Sequence, residues 1–350
     1  MTGVRVDADA GLGLEPLAAD GHPFITVIMP IRNESGFIHE SLGAVLAQDY
    51  PSDRYQVLVV DGASDDGTPE LCASLAAAAG GPHVEVLNNE RRIAPTALNI
   101  GLEAARGELV VRVDGHCVIE PDYLTRCVEV SRAVGAECVG GPIATIGMSE
   151  TASAIAAAQS SKFGVGGVAF RTSTAAALVD TLAFGAYRTE VFDHIGRFDE
   201  ELVRNQDDEL NLRLTQAGGR IWMDPSIRST YYSRAGMKGL WRQYLGYGRY
   251  KVRVMQKRRT VPSIRHLVPA SFVVAVVGSV GLSLVLRRRW PALVVLVPYA
   301  AGNVAASVQA GSSPTAVKEI ATIAAANTTM HVAYGVGFLQ GIWAFRRHFR

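Results

Sequence analysis

Residues able to bind a metal follow the β-branched run Leu109–Val113. The turn that closes this run, Asp114-Gly115-His116, places a carboxylate and an imidazole two positions apart around a glycine. Such a turn suits a divalent cation that bridges a diphosphate. Because imidazole prefers softer divalent ions, His116 favours Mn²⁺ over Mg²⁺. A carboxylate at a strand end is also an ordinary helix or turn cap, so these residues alone leave both roles open.

Two further polar loops follow β-branched runs nearer the N-terminus. Pro30-Ile31-Arg32-Asn33-Glu34 comes after Ile25–Met29, and Asp61-Gly62-Ala63-Ser64-Asp65-Asp66-Gly67-Thr68 comes after Gln56–Val60. Each loop alone has the composition of a common strand-to-helix turn. Together, at the ends of neighbouring strands, they supply amide, hydroxyl and carboxylate groups for a uracil and a ribose. The residues predicted to form this nucleotide site are Pro30, Arg32, Asn33, Glu34, Asp61, Ser64 and Asp66.

A third acidic stretch, Asn205–Leu210, opens a predicted helix. Acids in a first helical turn complement the helix dipole, which is a sufficient structural reason for their presence. A role at a site requires one of them to face it. Asp207 lies three residues before Leu210, on the predicted buried side, whereas Asp208 should point elsewhere. We therefore predict that Asp207 faces the site.

The elements that position these residues are typical of an α/β domain with a mostly parallel, doubly wound sheet. The predicted strands are Ile25–Met29, Gln56–Val60, Val84–Leu87 and Leu109–Val113. The predicted helices between and after them are Ser35–Gln48, Thr68–Ala79, Ala94–Arg106 and Pro121–Val134. Such sheets bind ligands beyond the carboxyl ends of their strands, where the polar loops lie. A less regular portion follows, with a strand near Leu182–Arg188 and a helix near Asn205–Ala217.

Composition excludes several classes of function. The chain has 350 residues, 19% of them charged, and a net charge of +1, so nothing indicates a nucleic-acid partner. The four cysteines, at positions 72, 117, 127 and 138, lack metal or disulfide spacing and are predicted to be reduced core thiols of a cytoplasmic domain. Residues 1–22 have the composition of a disordered tail. The globular domain is predicted to span residues 23–235.

The C-terminal third is basic, then apolar. Residues 236–265 mix aromatic side chains with a dense set of Lys and Arg, as in a helix lying in the lipid headgroup layer. Residues 266–350 contain apolar segments at Leu267–Leu286, Pro291–Ala310 and Ile320–Phe345, each about long enough to cross a bilayer. The basic clusters at 257–265, 287–289 and 346–350 cannot all be cytoplasmic if all three segments cross. The prediction is therefore a multi-pass inner (plasma) membrane protein with two to three spans and a cytoplasmic catalytic domain.

Read together, these stretches resemble glycosyltransferase family 2, whose members have a GT-A fold. Pro30–Glu34 and Asp61–Thr68 are similar to the family's two nucleotide loops, Asp114–His116 to its metal-binding DXD-type turn, and Gln206-Asp207 to its Glu-Asp motif. Within the family, the branch of succinoglycan-type exopolysaccharide glucosyltransferases is the most similar. The stretches behind this placement are Asn88–Gly101, the Asp-Gly-His turn, Phe163–Gly167, Phe184–Arg188, Asn205–Leu210 and Tyr247-Gly248.

Two departures from the wider family are His116 in place of the second DXD carboxylate and Gln206 in place of the acid before Asp207. Both occur in the branch, so we interpret them as subtype features. The Gln-x-x-Arg-Trp motif of processive synthases is absent, since Gln243 begins Gln-Tyr-Leu-Gly-Tyr. This favours a transferase that adds a single sugar.

The resemblance implies inverting transfer of a hexose, with glucose as the family-level guess, from a UDP-sugar. Asp207 would be the general base, and Asp114 and His116 would hold the metal. Arg92 would support the diphosphate, although an exposed, solvated Arg92 is equally compatible with the sequence. The acceptor side would include Gly185, Ala186, Gln206, Asp208 and Arg213. The implied partners are a polyprenyl-diphosphate-linked or other glycan acceptor, the membrane and other polysaccharide-assembly proteins.

Two alternatives stay open. A polyprenyl-phosphate sugar transferase would use the same fold and donor but produce a sugar phosphodiester. A non-catalytic nucleotide-sugar-binding scaffold would keep the pocket without turnover. A dinucleotide oxidoreductase is excluded, because the first loop reads Pro-Ile-Arg-Asn-Glu instead of Gly-x-Gly-x-x-Gly.

Overall fold

The structure is a computed structural model that describes residues 11–233, 236–313 and 315–346. They divide into two compact units. The first contains residues up to 144 together with 173–231, and the second contains residues 145–172 and those from 232 onward.

The strands are β1 (Ile25–Ile31), β2 (Tyr55–Asp61), β3 (His83–Asn88), β4 (Leu109–Arg112), β5 (Cys117–Ile119), β6 (Cys138–Gly140), β7 (Ile143–Ile146), β8 (Ala177–Leu178), β9 (Ala186–Arg188), β10 (Ile221–Met223) and β11 (Ser229–Tyr232). The helices of the first unit are α1 (Ile38–Leu46), α2 (Thr68–Ala79), α3 (Ala94–Ala104), α4 (Tyr123–Val134), α8 (Val191–Ile195) and α9 (Gln206–Gln216). Those of the second unit are α5 (Glu150–Gln159), α6 (Lys162–Val165), α7 (Ala169–Thr172), α10 (Met237–Arg258), α11 (Val268–Leu286), α12 (Trp290–Ala310) and α13 (Val317–Ala344). Short 3₁₀ turns lie at Ser52–Arg54 and Ile264–His266.

The first unit is built on a mostly parallel sheet, as the sequence predicts. Its strand order is β3-β2-β1-β4-β9-β6-β10-β8. The strands β1 to β4 pair in parallel, β9 is antiparallel to β4 and β6, and β10 is parallel to β6. A smaller sheet has the order β5-β11-β7. The carboxyl ends of β1 to β4 therefore meet at one edge, and the predicted polar loops emerge there.

The core of this unit is the centre of the large sheet and the helices against it. All seven residues of β2 are buried, and Ile25, Val27 and Met29 of β1 are fully shielded from solvent. The helix α3 approaches β1 closely because Gly101 faces Ile28, and a Cβ at Gly101 would lie 2.5 Å from Ile28 Cγ2. This close packing holds α3 against the middle of β1.

The four cysteines are free and buried, in agreement with their predicted role in the core. Burial raises the pKa of the Cys72 thiol to about 11, so this thiol stays protonated and unreactive at neutral pH.

Residues 11–22 have no regular secondary structure but make defined contacts. The backbone N–H of Leu12 donates to Oε1 of Glu137 at 2.9 Å, and Leu17 is buried. Residues 1–10 of the predicted tail lie outside the described residues.

The second unit is helical. Its principal cluster joins α5, α10 and α13, with the buried side chains Ala154, Ile155, Ala158, Leu240, Tyr244, Ile323, Ala326, Met330 and Ala333. The helices α5 to α7 were not anticipated, because the alanine- and glycine-rich segment 150–172 has weak apolar periodicity. In the structure this segment folds with the C-terminal helices.

Within the described residues, two helical stretches are long and apolar enough to span a membrane, Ile264–Leu286 and Trp290–Ala310. The helix α13, predicted as a third apolar segment, is not one of them. It begins with Lys318 and Glu319 in its first turns, and it buries Asn327, Met330 and other residues along one face. Small residues let it approach α10, since a Cβ at Gly248 would lie 2.0 Å from the Tyr334 carbonyl oxygen.

Candidate active site

The first two polar loops are tied to each other by hydrogen bonds. The side-chain amide of Asn33 donates to Asp65 at 2.9 Å and accepts from the Asp65 N–H at 3.0 Å. The Asn33 N–H donates to Ser64 Oγ at 2.8 Å. Asn33 has a φ of 54°, a left-handed conformation that asparagine tolerates better than most residues. The structure therefore brings the two predicted nucleotide loops together, as expected.

Asp61 and Asp66 act as acceptors within the second loop. The Asp61 carboxylate accepts from the Ser64 N–H at 3.0 Å and from its hydroxyl at 2.5 Å. Asp66 accepts hydrogen bonds from the Thr68 hydroxyl and from the Ser35 N–H. These hydrogen bonds hold the pKa of Asp66 below its ordinary value, and the one from the Thr68 hydroxyl has the largest effect. Asp61 is buried, whereas Asp66 supports the loop from its outer side.

Three other predicted donor-site residues differ in their surroundings. Pro30 is half-buried in β1, and the exposed Arg32 packs over Gly62, where a Cβ would lie 3.3 Å from Arg32 Cβ. Arg92 is exposed and has a φ of 58°, with its N–H donating to the Asn89 carbonyl. Its side chain is free to reach an anion or solvent, as the sequence left open.

Charged groups surround the turn Asp114-Gly115-His116, which follows β4 and is the predicted metal site. Arg112 grips Asp114 with two hydrogen bonds, from Nε to Oδ1 at 2.7 Å and from Nη2 to Oδ2 at 3.0 Å. His116 Nδ1 lies 2.8 Å from Oε1 of Glu34. In the neutral imidazole with its proton on Nδ1, that proton donates to the Glu34 carboxylate and the Nε2 lone pair remains for a ligand. Arg112 therefore orients the predicted ligand Asp114, and Glu34 orients the predicted ligand His116.

The described residues contain no group of three or more His, Cys, Asp or Glu side chains arranged to hold a metal by themselves. A metal bound mainly through substrate phosphates needs only one or two protein ligands. Arg112 occupies two of the roughly four lone-pair positions of the Asp114 carboxylate, which leaves two for a cation. Asp114 and the Nε2 atom of His116 fit such a cation.

Asp207 is brought to the same place by the start of α9. Its Oδ2 atom lies 3.6 Å from Nη1 of Arg112, and its Oδ1 atom accepts the Asp208 N–H at 2.9 Å. The Asp207 side chain is 29% exposed. Burial nevertheless raises the pKa of Asp207 above its ordinary value, while the nearby Arg112 guanidinium opposes that rise. The dipole argument alone predicted a carboxylate stabilised in its ionised form, and desolvation by its surroundings outweighs it.

The predicted acceptor-side residues lie at β9 and in α9. Ala186 is buried in β9, in register with Val111 and Val139, and the Gly185 carbonyl accepts the Arg112 N–H at 3.3 Å. Gln206 is buried beside Asp207 in the first turn of α9.

Arg213 has a structural position. It pairs with the buried Glu209 through Nε to Oε1 at 2.8 Å and donates to carbonyls at the end of α8, including that of Gly196. Arg213 follows Asp207 by six residues, and each residue turns the helix by roughly 100°. The two side chains therefore leave α9 about 240° apart around its axis.

Arg112 is the site residue that sequence reasoning missed. Its signal was an arginine closing the apolar strand Leu109–Arg112, two positions before Asp114 and therefore on the same side of an extended chain. Burial acts to lower the pKa of Arg112, but the Asp114 and Asp207 carboxylates outweigh it and raise that pKa above its ordinary value. Arg112 is therefore a permanent cation between two carboxylates.

Comparison with known proteins agrees with this architecture. Residues 26–196 match the family model described as Glycosyl transferase family 2. Succinoglycan biosynthesis protein ExoA of Rhizobium meliloti (strain 1021) is 33% identical over 324 residues, which cover 92% of this chain and 96% of that protein. The dolichyl N-acetyl-alpha-D-glucosaminyl phosphate 3-beta-D-2,3-diacetamido-2,3-dideoxy-beta-D-glucuronosyltransferase of Methanococcus voltae is 29% identical over 240 residues, covering 67% of this chain and 74% of that protein.

A solved structure has the same fold. The mannosyltransferase PcManGT from Pyrobaculum calidifontis, in complex with GDP-Man and Mn²⁺, matches with a TM-score of 0.58 and 21% identity, covering 97% of this chain and 90% of that one. The fold is therefore that of the GT-A glycosyltransferases. The chain belongs to glycosyltransferase family 2, which confirms the resemblance seen in the sequence.

Proposed function

We propose that this protein is an inverting, metal-dependent glycosyltransferase of exopolysaccharide or other cell-surface polysaccharide synthesis. It moves one hexose, with glucose as the first candidate, from a UDP-sugar to a lipid-linked glycan at the cytoplasmic face of the plasma membrane. The observation that carries this proposal is the placement of Asp114 and Asp207 on either side of Arg112 at the carboxyl edge of the sheet. A donor-side carboxylate and a candidate base are thereby held together.

The hydrogen bonds between the two predicted nucleotide loops support the donor part of the proposal. Asp61 is buried beside Ser64 at the end of β2, where a uracil and ribose would bind. The reciprocal Asn33–Asp65 contact holds the first loop against the second. These hydrogen bonds hold the two loops together before the nucleotide binds, which lowers the entropic cost of binding.

A divalent cation is the cofactor of this proposal. When bound, it would neutralise the charge that develops on the departing diphosphate. Asp114 and the Nε2 atom of His116 would hold it, with Arg112 and Glu34 orienting these two ligands from behind. The imidazole ligand favours Mn²⁺.

Asp207 supplies the acid-base chemistry. In a direct displacement, the acceptor hydroxyl oxygen attacks the anomeric carbon, the bond from that carbon to the diphosphate oxygen breaks, and the hydroxyl proton passes to the Asp207 carboxylate. Attack from the face opposite the leaving group inverts the anomeric configuration. The raised pKa of Asp207 makes its carboxylate a stronger base than that of an ordinary aspartate.

The second unit supports a membrane-presented acceptor. Two of its helices have the length and composition of membrane spans. The Methanococcus voltae relative is named for transfer to a dolichyl-linked sugar phosphate, and the Rhizobium meliloti relative is named for succinoglycan biosynthesis. We infer a glycan on a polyprenyl diphosphate as the acceptor, delivered within an assembly of polysaccharide-synthesis proteins.

The proposal is tested with membranes that carry the protein or its Asp207→Asn variant, Mn²⁺ and a panel of radiolabelled nucleotide sugars. Label in the organic-extractable lipid fraction is counted, and Glu129→Gln on the surface of α4 serves as a matched carboxylate-to-amide control. We expect one UDP-sugar to label lipid with the parent and the control but not with Asp207→Asn.

The linkage of the product decides between the proposal and its alternatives. A glycosidic bond is expected, whereas a sugar phosphodiester would identify a polyprenyl-phosphate sugar transferase. UDP binding that depends on Asp114 without turnover on any supplied lipid-linked glycan would favour a scaffold.

A further inference from the structure

Arg112 occupies an unusual position for a charged side chain. It is the last residue of β4, its side chain is only 10% exposed, and the three preceding strand residues are buried and apolar. Placing an ion in such surroundings costs several kcal/mol, and a buried ion pair is rarely more stable than apolar side chains of the same volume. Fold stability alone therefore does not explain an arginine here.

The geometry of the guanidinium explains it better. Nε and Nη2 are both engaged by Asp114, which leaves Nη1 directed toward Asp207. Because a guanidinium is planar and rigid, the paired contact with Asp114 also fixes the direction of Nη1. One side chain therefore relates the position of Asp207 to that of Asp114.

The third contact is electrostatic. Nη1 is buried and makes no hydrogen bond within the described residues, and its 3.6 Å distance from Asp207 Oδ2 exceeds hydrogen-bond range. At this separation, and with the Arg112 side chain buried, the attraction still constrains the carboxylate. Asp207 is held near one position, with Oδ1 accepting the Asp208 N–H and Oδ2 available for an acceptor proton.

We infer that Arg112 is a positioning residue that fixes Asp114 and Asp207 at a single relative placement. This inference rests on the proposed function, in which Asp114 serves the donor and Asp207 serves the acceptor. Lysine at the same position would keep the charge but could not grip Asp114 with two donors and reach Asp207 with a third.

The test combines Arg112→Lys and Asp207→Asn in a double-mutant cycle. The readouts are UDP affinity in the presence of Mn²⁺, measured by calorimetry, and kcat and KM for sugar transfer by the membrane-bound protein. Arg126→Lys on the exposed face of α4 is the matched control. Thermal unfolding checks the fold of each variant, and Arg112→Gln provides a second substitution at the site.

Arg112→Lys is expected to weaken UDP binding about tenfold and to lower kcat about thirtyfold, in the range seen when the orientation of metal ligands or catalytic groups is lost. In the Asp207→Asn background the same substitution should still weaken UDP binding but lower the residual kcat by less than about threefold. A purely structural role would reduce kcat equally in both backgrounds.

Three results would overturn the inference. They are parent-like UDP affinity and kcat in Arg112→Lys, an undiminished loss of kcat in the Asp207→Asn background, and loss of folding in both Arg112 variants. A parent that transfers no sugar would count against the proposed function. Because the UDP titration is independent of turnover, it would still decide whether Arg112 positions Asp114.

Discussion

His116 and Glu34 lie in contact across the carboxyl edge of the sheet, with Nδ1 of the imidazole 2.8 Å from Oε1 of the carboxylate. The contact requires glycine at position 115, between Asp114 and His116, because a Cβ at Gly115 would lie 2.7 Å from Glu34 Cγ. The ring of Tyr231 packs edge-on against His116 at 5.0 Å between centroids. Glu34, predicted only as a nucleotide-loop residue, therefore also orients the imidazole.

This contact predicts how the metal preference can be altered. Glu34→Ala should weaken Mn²⁺-dependent UDP binding about 10- to 100-fold, because such supporting contacts contribute that much to metal affinity. Glu34→Gln keeps an acceptor for Nδ1–H and should lose less. His116→Ala should abolish the advantage of Mn²⁺ over Mg²⁺ at equal concentration. Calorimetric titration of UDP with each metal measures all three, with Glu40→Ala on the exposed face of α1 as the control. An unchanged Mn²⁺ preference in His116→Ala would show that the imidazole does not bind the metal.

The base assignment predicts a loss of transfer without a loss of donor binding. Asp207→Asn should reduce kcat by about 10²- to 10⁴-fold, the usual contribution of a positioned general base. Its UDP affinity should stay near that of the parent, since Asp114 keeps its contacts with Arg112. Initial rates at saturating donor, with Glu129→Gln in parallel, provide the measurement. Turnover within a few-fold of the parent would rule out Asp207 as the base.

The raised pKa of Asp207 predicts the acidic side of the pH profile. A protonated carboxyl group cannot accept the acceptor proton, so kcat should fall as the pH drops through the pKa of Asp207. Because burial raises that pKa, the fall should occur above pH 3.8, the ordinary value for an aspartate. Arg112, Asp114, Asp208 and Tyr187 are the charged or titratable groups whose fields act there. The profile of kcat should lose this acidic limb in Asp207→Asn, and a limb that survives in the variant would belong to another group.

Sequence patterns predicted which loops and helices carry the site residues, but not which side chains contact one another. The strand that ends at Asp61 followed from its apolar run, because β2 is buried on both faces, and the helix around Asp207 followed from the spacing of its apolar residues. The partners of each side chain could not be read in the same way. The Arg112 contact with Asp207 joins distant parts of the chain, and no local pattern encodes such a pair. The helical character of segment 150–172 also depends on packing within its own unit, which weak local propensity does not reveal.

The hydrogen bonds between the two nucleotide loops predict that two substitutions of Asn33 destabilise the protein to different degrees. Asn33→Ala removes two amide hydrogen bonds and places a Cβ-bearing residue without a local hydrogen bond in the left-handed region. It should lower the free energy of unfolding by about 1–3 kcal/mol. Asn33→Gly loses the same hydrogen bonds without the conformational cost, so it should be less destabilised. Both variants should bind UDP more weakly than the parent. Thermal unfolding and UDP titration separate the two effects, and equal stability of the two variants would argue against strain at this φ.

The contact between α10 and α13 predicts that two glycines of the second unit respond in opposite ways. A Cβ at Gly248 would lie 2.0 Å from the Tyr334 carbonyl oxygen and 2.9 Å from the Phe338 nitrogen, which are backbone atoms that cannot rotate away. Gly248→Ala should therefore separate the helices and destabilise the protein by about 1–3 kcal/mol, as overpacking does. Gly278 on α11 has no neighbouring atom within 4 Å of such a Cβ, so Gly278→Ala should be neutral or slightly stabilising through its higher helix propensity. Thermal unfolding of the detergent-solubilised protein compares them. Equal melting temperatures for the two variants would mean that α10 and α13 do not pack through Gly248.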